Sequence, residues 1–248
     1  LDKDGLHVIK NLLSKTEIDK IREECYNNKH YNTKEYIINN KRINNQIKKH
    51  IHLGNDYQFQ DYIFIIQKSS IHTCHRDANG DFFNKGQKYP SYTIIIFLED
   101  MDKCLGVIPR SHRNEDSFNF NLTDKVQHIV CNSGDAIIFN SNLIHVGSLN
   151  NKDDNLRIQM KITHKDDIKN ISYYNNYNKV LNETNYLPFY LKKAQQNVSC
   201  MFPVLSNSAQ NEVKRISNKK ELPTFFQKAY SFLLYGNTNF YNDNEVRK

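Results

Sequence analysis

Apolar residues in this chain fall into short runs separated by polar turn signals. Leu6 to Leu13 opens with a short apolar strand. Ser14 follows as a helix N-cap, with Glu17 three residues on at capping-box spacing. The helix is expected from Lys15 to about Asn27, seated by Leu12, Leu13, Ile18 and Ile21. Residues 28–58 are polar and weakly patterned, and read as loops with room for one short helix near Arg42 to Lys49. Aromatic and β-branched content predicts a strand at Tyr62 to Ile66. Asn79-Gly80-Asp81 is a turn signal, and Phe82 to Pro90 a loop. Tyr92 to Leu98 is the most apolar strand, and both alternating sets, Thr93/Ile95/Phe97 and Tyr92/Ile94/Ile96, are apolar enough to face inward. An acidic turn spans Glu99 to Asp102, and a strand runs from Val126 to Val130. Gly134-Asp135 then turns into an apolar strand that ends on His145, and Leu156 to Ile162 forms a closing strand. Short strands between turns predict a mainly β domain, a jelly-roll barrel of two antiparallel sheets with flanking helices.

The last eighty residues carry less pattern. Tyr173 to Tyr190 is rich in Asn and Tyr, and Leu187-Pro188 breaks any helix there. A helical stripe of Phe225, Phe226, Ala229 and Tyr230 follows Leu222-Pro223 and stops at Gly236. Residues 1–165 are therefore read as the barrel with its N-terminal helix. Residues 166–248 are read as a partly helical extension packed on it. The 248 residues suffice for a sizeable core.

A formal charge of +7 could point to nucleic acid, but the basic residues are interspersed with acids, so a solvated basic surface is the reading and nucleic acid is not an expected partner. Five widely spaced cysteines form no Cys-x-x-Cys pair, and their odd number favours a reducing, cytoplasmic setting over a disulfide framework. No signal-peptide pattern and no apolar run long enough to cross a membrane is visible in the sequence.

The chemistry gathers at His75-Arg76-Asp77. On an extended backbone, His75 and Asp77 point to one side, because strand side chains repeat with period two. Cys74 then points away from His75. His145 supplies a third group. Two imidazoles and one carboxylate with open positions suit Fe(II), whereas thiolate sets suit zinc or iron–sulfur. Arg157, twelve residues after His145, is a cation able to hold a carboxylate. Arg76 and Arg110 are either solvated surface residues or groups at the pocket mouth facing an acidic or phosphate-bearing small molecule.

These segments resemble the phytanoyl-CoA dioxygenase-like branch of the Fe(II)/2-oxoglutarate oxygenases. The resemblance covers the His75–Asp77 step, Asp4 to Ser14, Leu105 to Arg113 and Gly134 to His145, in order, within residues 1–165. It implies a double-stranded β-helix and a metal held by His75, Asp77 and His145. His112 matches a loop histidine of the family that is not a ligand. Arg110 stands where the family has Gly, which implies a reshaped loop or an arginine reaching a substrate anion. Ser148 and Arg157 both lie one residue later than the family spacing, consistent with one inserted residue at Val146-Gly147. Arg157 would then bind the C5 carboxylate of 2-oxoglutarate, with Ser148 or Thr93 assisting and Lys161 as the fallback anchor. The implied co-substrates are 2-oxoglutarate and O2, with Fe(2+) as metal. The implied reaction is hydroxylation of a small molecule with release of succinate and CO2, by a monomer or homodimer. Related halogenases lack the carboxylate that Asp77 retains. Two alternatives stay open: desaturation or cyclisation by the same site, and a non-catalytic metal-binding jelly roll used for sensing or scaffolding.

Overall fold

The computed structural model describes residues 1–27, 30–60, 63–66, 76–77, 87–113, 126–147, 155–168, 225, 228–229 and 246–247. Strands β1 (Leu6–Ile9), β2 (Tyr57–Phe59), β3 (Phe64–Ile66), β4 (Tyr92–Phe97), β5 (Met101–Val107), β6 (Gln127–Cys131), β7 (Ala136–Asn140), β8 (His145–Gly147), β9 (Arg157–His164) and β10 (Val246–Arg247) form two sheets. The first runs β1-β7-β4-β9-β2, with β3 also on β9. The second runs β10-β6-β5-β8. Every pairing is antiparallel except β10 on β6.

The sheets face each other across one apolar cluster. Ile95, Phe97, Ile137 and Phe139 come from the first sheet, and Met101, Cys104, Leu105, Val107, Ile129 and Cys131 from the second. Among the described residues no strand pairing joins the two sheets, so they are held by face-to-face packing. This decides the orientation of β4: Thr93, Ile95 and Phe97 face the other sheet, while Ile94 and Ile96 face outward. The outward set is equally apolar because helices cover it. Ile18 and Ile21 of α1 (Lys15–Tyr26) and Ile43 and Ile47 of α3 (Lys41–Lys48) form one cluster with Ile94, Ile96, Ile158 and Met160. A strand buried on both faces loses its alternation, as β4 does.

Three expectations need correction. Residues 28–58 are not mostly loop: they hold α2 (His30–Asn39), α3, and β2. On α2 the buried side chains include Thr33, Lys34 and Ile37, and only the last is a strong apolar signal. The acidic turn at Glu99 to Asp102 is shorter than expected, because β5 already begins at Met101. The strand leading to His145 is also not continuous. It ends at Asn140, whose side-chain oxygen accepts from the Asn142 N–H at 2.9 Å, a local turn. His145 then starts β8 in the other sheet, opposite Val107.

Gly134 precedes β7 with φ +88°, and a Cβ there would meet the Leu13 carbonyl oxygen at 2.8 Å. That close approach lets the Leu13 N–H donate to Gly134 O at 3.0 Å, locking the start of α1 to the sheet. Of the expected C-terminal helix, Phe225, Lys228 and Ala229 are helical, and the remainder lies outside the described residues. Among the described residues no helix is long and apolar enough to cross a membrane.

The capping box expected at Ser14 is present, and Glu17 does more than close it. Its carboxylate also accepts from Arg42 Nη2 at 2.6 Å and from the Tyr36 hydroxyl at 3.1 Å, joining α1, α2 and α3. Burial opposes its ionisation, but the Ser14 N–H, Arg42 and the two hydroxyls outweigh burial and bring its pKa down from 4.5 to about 2. A depressed carboxylate pKa stabilises the fold fully above the unfolded value of 4.5, and that contribution is lost as pH falls through about 2. Glu17→Gln is expected to cost about 1–3 kcal/mol at pH 7, because hydrogen bonds to a charged group are removed. Denaturant melts of both proteins should show the difference shrinking below pH 4.5.

Candidate active site

One rung of the first sheet underlies the site. Thr93 on β4 stands opposite Phe139 on β7 and Lys161 on β9. Thr93 Oγ1 donates to Asp77 Oδ2 at 2.7 Å, and Lys161 Nζ lies 3.3 Å from the same oxygen. The other oxygen, Oδ1, is 3.6 Å from His145 Nε2. The His145 ring packs on Phe139, with centroids 4.6 Å apart. Its Nδ1 lies 2.9 Å from Leu143 O. A carbonyl only accepts, so Nδ1 carries the proton and Nε2 is the ring atom turned to Asp77.

Asp77 and His145 are thus brought together from segments far apart in sequence. Two donor atoms sharing one cation, each about 2.1 Å from it, stand roughly 3 Å or slightly more apart. The observed 3.6 Å lies a little beyond that separation. His75 and Ser148 lie outside the described residues. Among the described residues no third His, Cys, Asp or Glu joins the pair, His112 included. His112 instead packs over Gly5, where a Cβ would come within 2.4 Å of its Nδ1. Burial lowers its pKa.

Arg157 lies on the same face of β9 as Lys161, opposite Phe97 and Ile66. It is buried, and its Nη1 donates to Asn155 O at 3.1 Å. Burial brings its pKa down to about 10, so it is still a cation at neutral pH. Burial also lowers the pKa of Lys161, with the Asp77 carboxylate acting in the opposite sense.

Thr93, expected to assist a co-substrate, is bonded to Asp77. Arg76 differs from both readings made of it. It is buried, neither solvated nor at a mouth, and its Nη1 donates to Ser111 O at 2.7 Å and to Asn142 O. Ser111 Oγ in turn accepts the Ile144 N–H at 2.8 Å. The residue beside Asp77 is therefore tied to the turn that delivers His145. The signal available in sequence was the period-two geometry, which sets Arg76 opposite to Asp77 but does not say that its side is buried. Arg110 takes the left-handed φ of +69° that suits glycine, its side chain exposed, and its Nε 3.8 Å from Asp4 Oδ1. The loop keeps its glycine-like backbone at a cost of about 1–2 kcal/mol.

Residues 60–158 match the family model described as phytanoyl-CoA dioxygenase (PhyH). Over this stretch the chain is similar to the phytanoyl-CoA dioxygenase family. It contains the His75–Asp77 step, His145 and Arg157, whereas the resembling segment at Asp4 to Ser14 precedes it. No curated protein matches the chain. Among solved structures it is similar to the non-heme α-ketoglutarate-dependent epimerase SnoN from nogalamycin biosynthesis: 14% identity, TM-score 0.53, over 66% of this chain and 80% of that one. It is also similar to HygX from Streptomyces hygroscopicus with nickel and 2-oxoglutarate bound: 15% identity, TM-score 0.51, 66% and 83% covered. A third similar structure is the carbocyclase SnoK of nogalamycin biosynthesis, at 14% identity and TM-score 0.50 over 65% and 80%. At these identities the likeness is one of fold.

Arg76→Gln is expected to destabilise the fold by about 2 kcal/mol or more, because one buried and one part-buried carbonyl lose a charged donor. Thermal melts test this. Arg76→Gln should also broaden the His145 ring resonances in NMR spectra, while Arg110→Gly leaves them unchanged.

Proposed function

We propose that this chain is an Fe(II)- and 2-oxoglutarate-dependent dioxygenase on a double-stranded β-helix, hydroxylating a small molecule with release of succinate and CO2. The observation that carries the reading is the Asp77–His145 pair, with a buried arginine on the same interior wall. The donor set fits the metal. It combines imidazole nitrogen with carboxylate oxygen, and His145 presents Nε2 because Nδ1 is committed to Leu143 O. His75 would complete the set. When bound, the iron supplies O2 activation coupled to oxidative decarboxylation of 2-oxoglutarate.

The chain's own residues bind and orient. His145 and Asp77 must be neutral and ionised respectively, so metal affinity falls in acid. Arg157 holds the C5 carboxylate, a charge-assisted contact in a place dry enough to strengthen it. Ser148 would assist there. The apolar wall of Ile95, Phe97 and Phe139 limits water around the bound co-substrate.

SnoN and SnoK are described as an epimerase and a carbocyclase. They favour a second reading, in which the same site leaves the product without an added oxygen. Product mass separates the two.

With Fe(II) and a candidate substrate, succinate should form from 2-oxoglutarate. His145→Ala should abolish it, His112→Ala should retain at least about half, and Arg157→Ala should raise the 2-oxoglutarate KM by roughly tenfold or more with little change in iron requirement. Equal loss in the two histidine variants would refute the ligand assignment. Metal binding by the purified protein without any succinate formation would instead favour a sensing or scaffolding role.

A further inference from the structure

The following rests on the Fe(II)/2-oxoglutarate reading and deepens it by naming a substrate class. Asp77 is held at the rung of Thr93 and Lys161. Along the same face of β9, Arg157 lies four residues back, about 13 Å by strand rise. Thr163 lies two residues on, about 7 Å in the other direction, beside Ser91. A co-substrate reaching from the Asp77–His145 pair to Arg157 leaves the Thr163 side for the primary substrate.

That side carries a polar strip. Thr163 and Ser91 are buried, and their hydroxyl oxygens stand 2.9 Å apart. Gln60, just past β2, donates from Nε2 to Thr163 Oγ1 at 2.5 Å, and Gln87 Nε2 donates to Ser91 Oγ at 3.1 Å. Two hydroxyls bring two protons, and one is spent between them. Both amide contacts donate to the hydroxyls, so neither takes up the second proton. That proton has no acceptor among the described residues. The amide oxygen Gln60 Oε1 is buried and likewise has no partner among the described residues. Buried polar groups left unpaired are costly, so both call for a ligand.

The strip thus presents one spare donor and one spare acceptor side by side. A ligand hydroxyl answers both with a single oxygen, accepting the hydroxyl proton and donating to Gln60 Oε1. A carboxylate only accepts and would face the Gln60 oxygen unfavourably. An ammonium only donates and would leave the hydroxyl proton unmatched. The reading of an acidic or phosphate-bearing substrate rests on Arg76 and Arg110. Arg76 donates to main-chain carbonyls, and Arg110 is exposed beside Asp4.

We propose that the primary substrate is a neutral, hydroxyl-bearing molecule of the polyol or sugar class, and that Gln60 and the Thr163–Ser91 hydroxyl pair are its specificity-determining contacts. A site built to pair a substrate hydroxyl discriminates against analogues that lack it, because its own groups are then left unpaired.

The test is ligand-observed NMR titration of the full chain, at saturating Mn(II) and 2-oxoglutarate, with three cyclohexane-ring probes: myo-inositol, cyclohexanecarboxylate and cyclohexylamine. The wild type is expected to bind myo-inositol about fivefold or more tighter than either other probe. Gln60→Met and Thr163→Val should each weaken myo-inositol about tenfold, while Mn(II) and 2-oxoglutarate affinities, read by calorimetry, stay within about twofold. Thr163→Ser restores the hydroxyl and should bring myo-inositol back to within about threefold of wild type. No binding of myo-inositol, or a carboxylate or amine that binds as tightly, overturns the proposal. So does myo-inositol binding that is unchanged in both variants, or 2-oxoglutarate affinity lost along with it. Should neither variant fold, the wild-type order of the three probes decides. A wild type that binds neither Mn(II) nor 2-oxoglutarate refutes the oxygenase reading itself, whereas normal binding of both with the probe order reversed refutes the substrate class alone.

Discussion

The Asp77–His145 pair depends on one rung of one sheet. Phe139, Thr93 and Lys161 lie side by side on β7, β4 and β9, and each touches one member of the pair. Cross-strand register is set by the pleat, and a slip of one residue would turn every side chain to the other face. Here a slip would replace Thr93 with Tyr92 or Ile94 and Lys161 with Met160 or Ile162 beneath Asp77. The apolar outer face, clamped by α1 and α3, guards against that slip. Helical packing outside the sheet thereby fixes a polar contact inside it.

The interior is two-natured along β9. Its first residue and its middle carry Arg157 and Lys161 among apolar neighbours, and each cation is buried. Such residues destabilise a core unless partnered or matched by a ligand. Lys161 has its partner in Asp77. Arg157 has a main-chain carbonyl, a weaker match, so this is where a carboxylate ligand would add most.

Much of this was legible in sequence because the informative residues were polar where their strands were not. His145 after an apolar run and Arg157, Gln159 and Lys161 alternating along β9 stand out for that reason. What could not be read depended on neighbours distant in sequence. The inward face of β4 was ambiguous because the helices that bury its other face lie some fifty residues or more before it. α2 was missed because it buries Thr33 and Lys34 along with Ile37. The break at Asn140 was hidden by the continued apolar run at Leu143 and Ile144, and these residues are buried beyond the turn. Thr93 was identified as a polar residue of the pocket, and that its hydroxyl donates to Asp77 is a contact no spacing rule contains.

The buried guanidinium of Arg76 bears on how such chains can diverge in length. It links the Asp77 step to Ser111 and to Asn142, and so encloses a circuit running from residue 76 to the turn before His145. Insertions at either anchoring turn would shift one end of the brace and move Asp77 and His145 apart. The extra residue inferred at Val146-Gly147 falls just past that circuit, where added chain lengthens the route to Arg157 without stretching the brace. Length variation among chains of this design should accordingly cluster after the distal histidine and avoid the three residues that lead into it.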